Sequence, residues 1–362
     1  MKIGILTYHR SHNYGALLQA LALRYVLSRM GHDVFYIDYF PKYHRRLYRI
    51  FDIESWLLLS IKGKIKTLIR FITTLIPSLR RRRKFTSFIN KKISPFCRPI
   101  TDSFDCVIYG SDQIWRKQPY IDQYNPFYFG ANNIETKKHI SYAASLDVLP
   151  DNEEDVKKFC ELVSHLDKIS VRENTIQNYL LTHGYTNVQV SLDPTLLLAK
   201  EQWKELIPNK RLFRNKYILF YDLLGDSGMQ TFDRGDVELF AERNSCRLVY
   251  LHAKVTDGQK INSREAYSPS DFVNLIRNAE CILTSSYHGV VLSILLEKPF
   301  YGCFPIDFYR AQALLDPLSL ANRLYTNKAP RLPLYIEQIN FDSVNAKLKI
   351  LREDSLLYLT KL

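Results

Sequence analysis

The sequence lacks several patterns that would assign a protein to a class at once. Its six cysteines include no C-x-x-C pair, and none of them stands at zinc-ligand spacing. No stretch holds eighteen consecutive apolar residues, so no membrane-spanning helix is predicted. Neither G-x-G-x-x-G nor a Walker loop occurs, which argues against a dinucleotide or P-loop site. We therefore expect a reduced, cytoplasmic protein without a structural metal or a bound cofactor.

Acidic residues are nearly absent from one segment of the chain, residues 42–92. The net charge of +13 arises from 50 basic and 37 acidic residues, and this segment alone holds fifteen basic residues against two acidic ones. Apolar residues are mixed with these cations, which suits a helix on an anionic membrane surface or a clamp for an anionic substrate. The alternative is a solvated basic face on helices packed against the first domain. No nucleic-acid-binding motif accompanies the charge, so we expect no nucleic acid partner.

Predicted strands and helices alternate along the chain. The opening KIGILTYH predicts a strand instead of a signal peptide, residues 14–25 keep one apolar helical face, and VFYI predicts the next strand. The same alternation returns from residue 217 onward. We therefore predict an α/β protein with two Rossmann-like domains facing a cleft. The expected division is 1–200, with a basic helical insertion at about 42–100, then 201–335, and a helical tail over 336–362.

The stretch TSSYHGVV, residues 284–291, is the strongest candidate site. A short apolar strand precedes it, and an apolar helix is predicted over 290–296. Ligands bind at such strand-to-helix turns of parallel sheets, and the free amides at Gly289 favour an anion. A protonated His288 beside that anion would deliver a proton to a reacting centre. The hydroxyl groups of this site come from Ser285 and Ser286.

Arg172, at the end of the strand-like ISVR, is the predicted cation for the same anion. In the alternative interpretation, Arg172 pairs with Glu173 or another carboxylate, and His288 donates to a backbone carbonyl. Asp193, in the segment LDPT, is expected to be structural, with its carboxylate accepting from backbone amides.

The segment GSDQIW, residues 110–115, also follows a predicted strand. Asp112 and Gln113 are candidates for binding hydroxyl groups or for a general base, and Trp115 is a candidate stacking face. The alternative is a turn in which Asp112 caps the next segment while Trp115 packs in the core.

Several of these segments together resemble the polysaccharide pyruvyl transferase family. They occur in the expected order over roughly residues 3–305 and are HNYGALLQALAL, YGSDQIW, SYAAS, ISVRE, LDPTLLL and SPSDFVNLIRNAECILTSSYHGVVLSILLEKPF. The resemblance implies a fold similar to the GT-B glycosyltransferases. It also implies transfer of pyruvate from phosphoenolpyruvate to a sugar of a cell-surface polysaccharide or its lipid-linked precursor, giving a cyclic ketal. Phosphoenolpyruvate is then a co-substrate, and no metal is required.

That reaction assigns roles to the candidate residues. The catalytic set is His288 as acid, Asp112 as base or sugar ligand, and Arg172. The donor-binding set, in the C-terminal domain apart from the arginine, is Arg172, Ser285, Ser286, Tyr287 and Gly289. The acceptor-binding set is Asn13, Tyr14, Asp112, Gln113 and Trp115. A lipid-linked oligosaccharide acceptor would place the protein at the inner face of the membrane, in peripheral contact through residues 42–92.

The sequence departs from the family at Ser286, where some members carry an arginine. A replacement for that cation is expected among Arg116, Lys254 and Arg310. Two rival functions follow from other classes of protein. One is a GT-B-like glycosyltransferase that uses a nucleotide sugar, and the other is a non-catalytic scaffold on the membrane surface.

Overall fold

Two parallel sheets form the framework of the protein. The computed structural model describes residues 1–118, 121–225, 228–252, 266–306 and 308–362. The strands in these residues are β1 Lys2–Leu6, β2 Asp33–Ile37, β3 Cys97–Arg98, β4 Cys106–Tyr109, β5 His139–Ser141, β6 Ile169–Val171, β7 Val188–Val190, β8 Tyr217–Tyr221, β9 Arg247–Leu251, β10 Cys281–Thr284, β11 Phe300–Cys303 and β12 Leu324–Tyr325.

The strand order of each sheet is that of a doubly wound fold. The first sheet runs β3-β2-β1-β4-β5 and the second β12-β11-β10-β8-β9, with every described pairing parallel. The pair β6-β7 continues the first sheet through a parallel bridge between Ile140 and Lys168. This arrangement confirms the predicted α/β class with two Rossmann-like units.

Helices connect the strands in both halves. Their bounds are α1 Tyr14–Arg29, α2 Lys42–Leu47, α3 Ile53–Leu57, α4 Ile61–Lys92, α5 Glu153–Val163, α6 Asn174–Thr182, α7 Lys200–Leu206, α8 Arg234–Arg243, α9 Pro269–Asn278, α10 Tyr287–Leu295, α11 Tyr309–Leu315 and α12 Phe341–Thr360. In none of the described residues is a helix both long and apolar enough to cross a bilayer.

Local sequence explains where the two helices nearest the site begin. The Asn13 side chain accepts from the Ala16 amide at 3.2 Å and caps α1. Ser286 is extended, with φ −105° and ψ 127°, so α10 begins at Tyr287. The sequence prediction began that helix at Val290 because the apolar run starts there. His288 therefore lies in the first helical turn instead of in a loop.

The strand order places a binding crevice in each half. The strand order changes direction between β1 and β4 in the first sheet and between β8 and β10 in the second, and ligands of such sheets bind outside the carboxyl ends of the strands at these points. Thr7 and Ser111 follow β1 and β4 and are joined by a hydrogen bond of 3.0 Å. Asp222 and Ser285 follow β8 and β10 and are joined by one of 2.6 Å.

The two halves share a continuous hydrophobic core. Tyr14 at the start of α1 stacks on Phe272 of α9 with a centroid distance of 4.7 Å. The C-terminal helix α12 returns to the first half, where the Tyr358 hydroxyl donates to the Ser141 carbonyl at 2.9 Å. Packing across the halves therefore fixes the two crevices relative to each other.

The basic segment forms a helical cover over the crevices. Its longest helix, α4, has 32 residues, contains Pro77, and buries only Phe85, Phe88 and Ile89. These buried residues all follow the proline, so the second part of α4 is anchored in the core. The part of α4 before Pro77 contacts the rest of the protein through its less exposed face, and most side chains on that face are polar.

Candidate functional site

His288 lies where the starts of α1 and α10 meet. Its Nε2 is 3.3 Å from Oδ2 of Asp193, although the angle is outside that of a hydrogen bond. The histidine side chain is 11% exposed and that of Asp193 is fully buried. The contact is thus a partly buried His–Asp pair, and the expected hydrogen bond from His288 to a backbone carbonyl is not among the contacts of the described residues.

Gly15 makes room for the imidazole. A Cβ atom at Gly15 would lie 2.0 Å from Nδ1 of His288, which no side chain tolerates without displacing the ring. The glycine occupies the second position of α1, so the histidine packs directly against the first helical turn of the other half. The pairing of His288 with Asp193 therefore depends on the absence of a side chain at Gly15.

Asp193 is fixed by contacts on both carboxylate oxygens. Oδ1 accepts from the Thr195 amide at 3.0 Å and from its hydroxyl at 2.7 Å, while Oδ2 accepts from Nη1 of Arg172 at 3.2 Å. Burial alone would raise the pKa of Asp193, but His288 and Arg172 lower it below its usual range. The carboxylate is therefore ionised beside His288.

Arg172 is neutralised by protein groups. Its guanidinium donates to Glu173 at 3.0 Å, to Asp193 at 3.2 Å and to the Ser145 hydroxyl at 2.8 Å, and its side chain is 2% exposed. Burial alone would lower the pKa of Arg172, but the neighbouring carboxylates raise it, so its charge is retained. This is the arrangement of the alternative interpretation. Arg172, Glu173, Asp193 and His288 are called the charge cluster below.

Tyr287 packs beside the charge cluster. The Arg172 guanidinium lies 4.5 Å from the centroid of the Tyr287 ring, and burial raises the pKa of the phenol. The Ser286 side chain does not accept a hydrogen bond from the backbone amides in the first turn of α10, so these amides have no side-chain cap. Those amides remain the candidate anion donors of the site.

The other serine of the predicted donor set is tied to a neighbouring loop. The Ser285 hydroxyl donates to Asp222 and accepts from the Leu224 amide at 2.9 Å. At Gly289 a Cβ atom would lie 2.5 Å from the Thr284 hydroxyl, so this glycine allows close packing of helix on strand. Residues 285–289 are all buried.

The predicted acceptor residues are divided between the core and the crevice. Trp115 is fully buried, stacks on Phe129 and donates to the Tyr128 carbonyl at 3.2 Å. Its rings present no face to a sugar, as the alternative interpretation expected. Asp112 and Gln113 are half-buried, and the Asp112 carboxylate accepts from the Gln113 amide at 2.9 Å.

An arginine-lined cavity of about 640 Å³ lies between the strand-end loops of the two sheets and the basic segment. Its walls come from the loops after β1, β4 and β8 and from the basic segment, and they include Asn13 and Tyr14 of the predicted acceptor set. Its cationic side chains are Arg49, Arg70, Arg81, Arg82 and Arg116, and its carboxylate is that of Asp52. We call this space the arginine cavity.

The arginine cavity includes one of the three predicted replacement cations. The Nε atom of Arg116 is buried and has no hydrogen-bond partner within the described chain. Arg310 lies close enough to Tyr287 to lower the pKa of that phenol, although burial outweighs it. Lys254 lies outside the described residues. Burial, together with the smaller effect of Arg81 and Arg82, lowers the pKa of His12 in the cavity wall to about 4.

The sequence interpretation missed two parts of this arrangement. It treated Asp193 as structural, which accounts for the bonds to Thr195 but not for the contact with His288. The available signal was the position of Asp193 after a predicted strand, which it shares with Asp112 and Arg172. Gly15 carried no separate signal, because glycine near a helix start is common.

The fold is similar to that of several solved sugar-nucleotide enzymes. The UDP-N-acetylglucosamine 2-epimerase of Rickettsia bellii is 10% identical, with a TM-score of 0.50, over 99% of this chain and 96% of that one. The Neisseria meningitidis epimerase bound to UDP-GlcNAc is 13% identical, with a TM-score of 0.46, over 98% and 100%. The calicheamicin glycosyltransferase CalG4 is 13% identical, with a TM-score of 0.38, over 98% and 94%. The two-sheet architecture is of the GT-B type.

The family follows from a separate comparison of sequence. The family model described as polysaccharide pyruvyl transferase matches residues 13–306. Because this match spans most of the chain, the protein belongs to the polysaccharide pyruvyl transferase family. No curated protein gave a significant match.

Proposed function

We propose that the protein transfers pyruvate from phosphoenolpyruvate to a sugar and forms a cyclic ketal. The observation that supports this most is the pairing of His288 with the ionised Asp193 at the meeting point of α1 and α10. A buried carboxylate at that distance is a charge partner for an imidazole that acts as a general acid. The family membership supports pyruvyl transfer as the class of reaction.

The proposed reaction begins with proton transfer from His288 to the methylene carbon of phosphoenolpyruvate, which becomes a methyl group. One sugar hydroxyl then attacks the adjacent carbon, and inorganic phosphate leaves with the electrons of the broken carbon–oxygen bond. A second hydroxyl of the same sugar attacks the same carbon and closes the ring. The two hydroxyl groups release two protons, of which one returns to His288 and the other passes through a base, with Asp112 as the candidate, to the departing phosphate.

The donor requires positive groups for its phosphate and carboxylate. Two observations support binding of these anionic groups. The amides at the start of α10 have no side-chain cap, and the Nε atom of Arg116 has no hydrogen-bond partner in the described chain. Because Arg172 is neutralised by Glu173 and Asp193, we assign it to positioning the Asp193 carboxylate. The hydroxyl groups of the acceptor would bind near Asn13 and Gln113.

The acceptor is proposed to be a sugar of a cell-surface polysaccharide, such as a capsule or an exopolysaccharide, or its lipid-linked precursor. Both are assembled from precursors inside the cell, so we propose a cytoplasmic site of action at the inner face of the membrane. No cofactor enters the proposed reaction.

Titration calorimetry with phosphoenolpyruvate, and separately with UDP and UDP-sugars, tests this proposal. We expect phosphoenolpyruvate to bind and UDP-sugars not to bind. Arg116→Gln should weaken phosphoenolpyruvate binding about tenfold, since it removes one charge-assisted contact. Lys117→Gln is the matched control, because Lys117 pairs with Asp155 at 2.6 Å and does not line the cavity. Binding of a UDP-sugar alone would instead favour the glycosyltransferase alternative, and binding of neither would favour the scaffold.

A further inference from the structure

The first part of α4 exposes a continuous apolar stripe. Its residues recur at the spacing that places them on one helical face. Their exposed fractions are 78% for Ile61, 56% for Ile65, 45% for Leu68, 58% for Ile69, 65% for Ile72, 60% for Ile76 and 49% for Leu79. We call this surface the outer stripe of α4.

The opposite face of the same helix is the one turned towards the protein. Its residues line the arginine cavity, and most of them are polar: Thr67, Arg70, Phe71, Thr74, Ser78, Arg81 and Arg82. A helix on a water-exposed surface normally buries its apolar face and exposes its polar one. The orientation of α4 is the reverse, which indicates that its outer stripe has an apolar environment to enter.

The exposed apolar surface extends beyond α4 into α3 and the turn between these two helices. Ile53, Leu57 and Leu58 are 58%, 58% and 87% exposed, and Leu59 is 41% exposed. Eleven large exposed apolar side chains thus lie between residues 53 and 79, as many as in the whole remainder of the described chain. An apolar surface of this density is a mark of an interaction site instead of chance exposure.

The charge around the outer stripe identifies the chemistry of its partner. The helix Ile61–Lys92 has eleven lysines and arginines and no acidic residue. Lys62, Lys66 and Arg80 flank the stripe on one side, within reach of a surface that the stripe enters. Apolar side chains bordered by lysine and arginine are the pattern of helices that lie in an anionic lipid interface.

We propose that the outer stripe of α4, with the exposed leucines after α3, docks into the headgroup region of an anionic membrane. The buried Phe85, Phe88 and Ile89 hold the helix to the core, so docking brings the arginine cavity on its inner face to the lipid surface. Docking does not depend on the reaction. The consequence that the acceptor reaches the cavity from the membrane rests on the proposed function.

Co-sedimentation with vesicles of phosphatidylglycerol and phosphatidylcholine tests the docking. We expect the intact protein to sediment with these vesicles at low salt and about tenfold less with phosphatidylcholine alone. Replacing Ile65, Ile69, Ile72 and Ile76 by serine should abolish sedimentation. Lys62→Gln with Lys66→Gln should reduce it several-fold and weaken its dependence on salt. Arg81 is left intact, because it donates to the Tyr14 hydroxyl at 3.0 Å and ties α4 to α1.

The control is a serine pair on another exposed apolar surface. Ile350 and Leu357 on α12 are 62% and 52% exposed, and their replacement by serine should leave vesicle binding unchanged. All the replaced side chains are exposed, so circular dichroism and the melting temperature should match those of the intact protein. Equal binding to neutral vesicles would overturn the proposal. The proposal would also be overturned if the intact protein bound no vesicles and was a dimer in sedimentation velocity, and if the four serine replacements converted that dimer to a monomer. The outer stripe would then be the contact between two copies of the protein.

Discussion

The charge cluster and the arginine cavity use their cations in opposite ways. In the cluster, Arg172 is surrounded by Glu173, Asp193 and Ser145, and little of its side chain reaches solvent. In the cavity, five arginines face one carboxylate, and the Nε of Arg116 is buried without a hydrogen-bond partner in the described chain. A buried cation that is fully paired gives rigidity, whereas an excess of positive charge around an open space favours an incoming anion.

The same comparison distinguishes residues that hold other side chains in position from residues that bind a ligand. Removing Arg172 takes the ion pair from the buried Glu173 and one of the ion-pair contacts from Asp193, so we expect its loss to affect stability first. Removing Arg116 leaves no carboxylate of the described residues without an ion pair, so we expect its loss to affect ligand affinity first. His288 belongs to the cluster through Asp193 and, with 11% of its side chain exposed, is the most exposed member of the cluster.

The largest effect is predicted for His288→Asn. Loss of a general acid costs typically about 10²–10⁴-fold in rate, so phosphate release from phosphoenolpyruvate in the presence of acceptor should fall by that factor. Asparagine fills similar space and keeps a polar group near Asp193, so the melting temperature should change little. A variant that folds and retains full turnover would remove His288 from the proposed mechanism.

Arg172→Met should lower the free energy of unfolding by about 3–5 kcal/mol, because it leaves Glu173 as a buried charge without its ion pair and leaves Asp193 with His288 alone as an ion-pair contact. Urea unfolding measures this loss. Adding Glu173→Gln to Arg172→Met should recover part of it, since the carboxylate that lost its ion pair is then gone. Arg116→Gln serves as the comparison and should shift stability by less than about 0.5 kcal/mol.

The opposite result for Arg172→Met would revise the comparison between the two regions. If stability were preserved and phosphoenolpyruvate binding were lost, Arg172 would be a donor ligand, as the sequence predicted, and the ion pairs with Glu173 and Asp193 would have to open during the reaction.

The sequence was sufficient for the fold because its signals are local. Apolar runs bounded by polar turns predicted β1, β2, β8 and β10, and their alternation with helices predicted parallel sheets. The start of α10 was placed three residues late, since Tyr287, His288 and Gly289 are not an apolar run. Helix starts depend on backbone angles at the cap, which residue type determines only weakly.

The site was predictable only in part, because its contacts join distant segments. Polar residues after strands indicated Asp112, Arg172 and His288, yet the pairing of His288 with Asp193 requires knowledge of how the two halves pack. The burial of Trp115 has the same cause, since an aromatic residue after a strand suits both a sugar face and a core. The charge of residues 42–92 was evident, but their position over the crevices was not.

The acid dependence of stability tests whether Asp193 is ionised in the cluster. Its folded pKa is lowered, so its contribution to stability is present above the unfolded value of about 3.9 and is lost as pH falls through the folded value. The difference in unfolding free energy between the intact protein and Asp193→Asn should therefore be constant above about pH 5 and shrink by about 1–2 kcal/mol on acidification below pH 4. A difference that does not vary with pH would mean that Asp193 has no depressed pKa.

Gly15→Ala is predicted to have a moderate effect on stability and the most specific effect on the site. The added methyl group would overlap Nδ1 of His288, and overpacking of this kind costs about 1–3 kcal/mol, with the ring displaced from Asp193. The rate of phosphate release should then fall while phosphoenolpyruvate affinity changes little, because the proton donor moves and the anion donors of α10 do not. Gly63→Ala is the control, since it adds the same methyl group to the first turn of α4, far from His288. If Gly15→Ala retained full turnover, the imidazole would not need its position between the two helix starts, and the cluster would be structural alone.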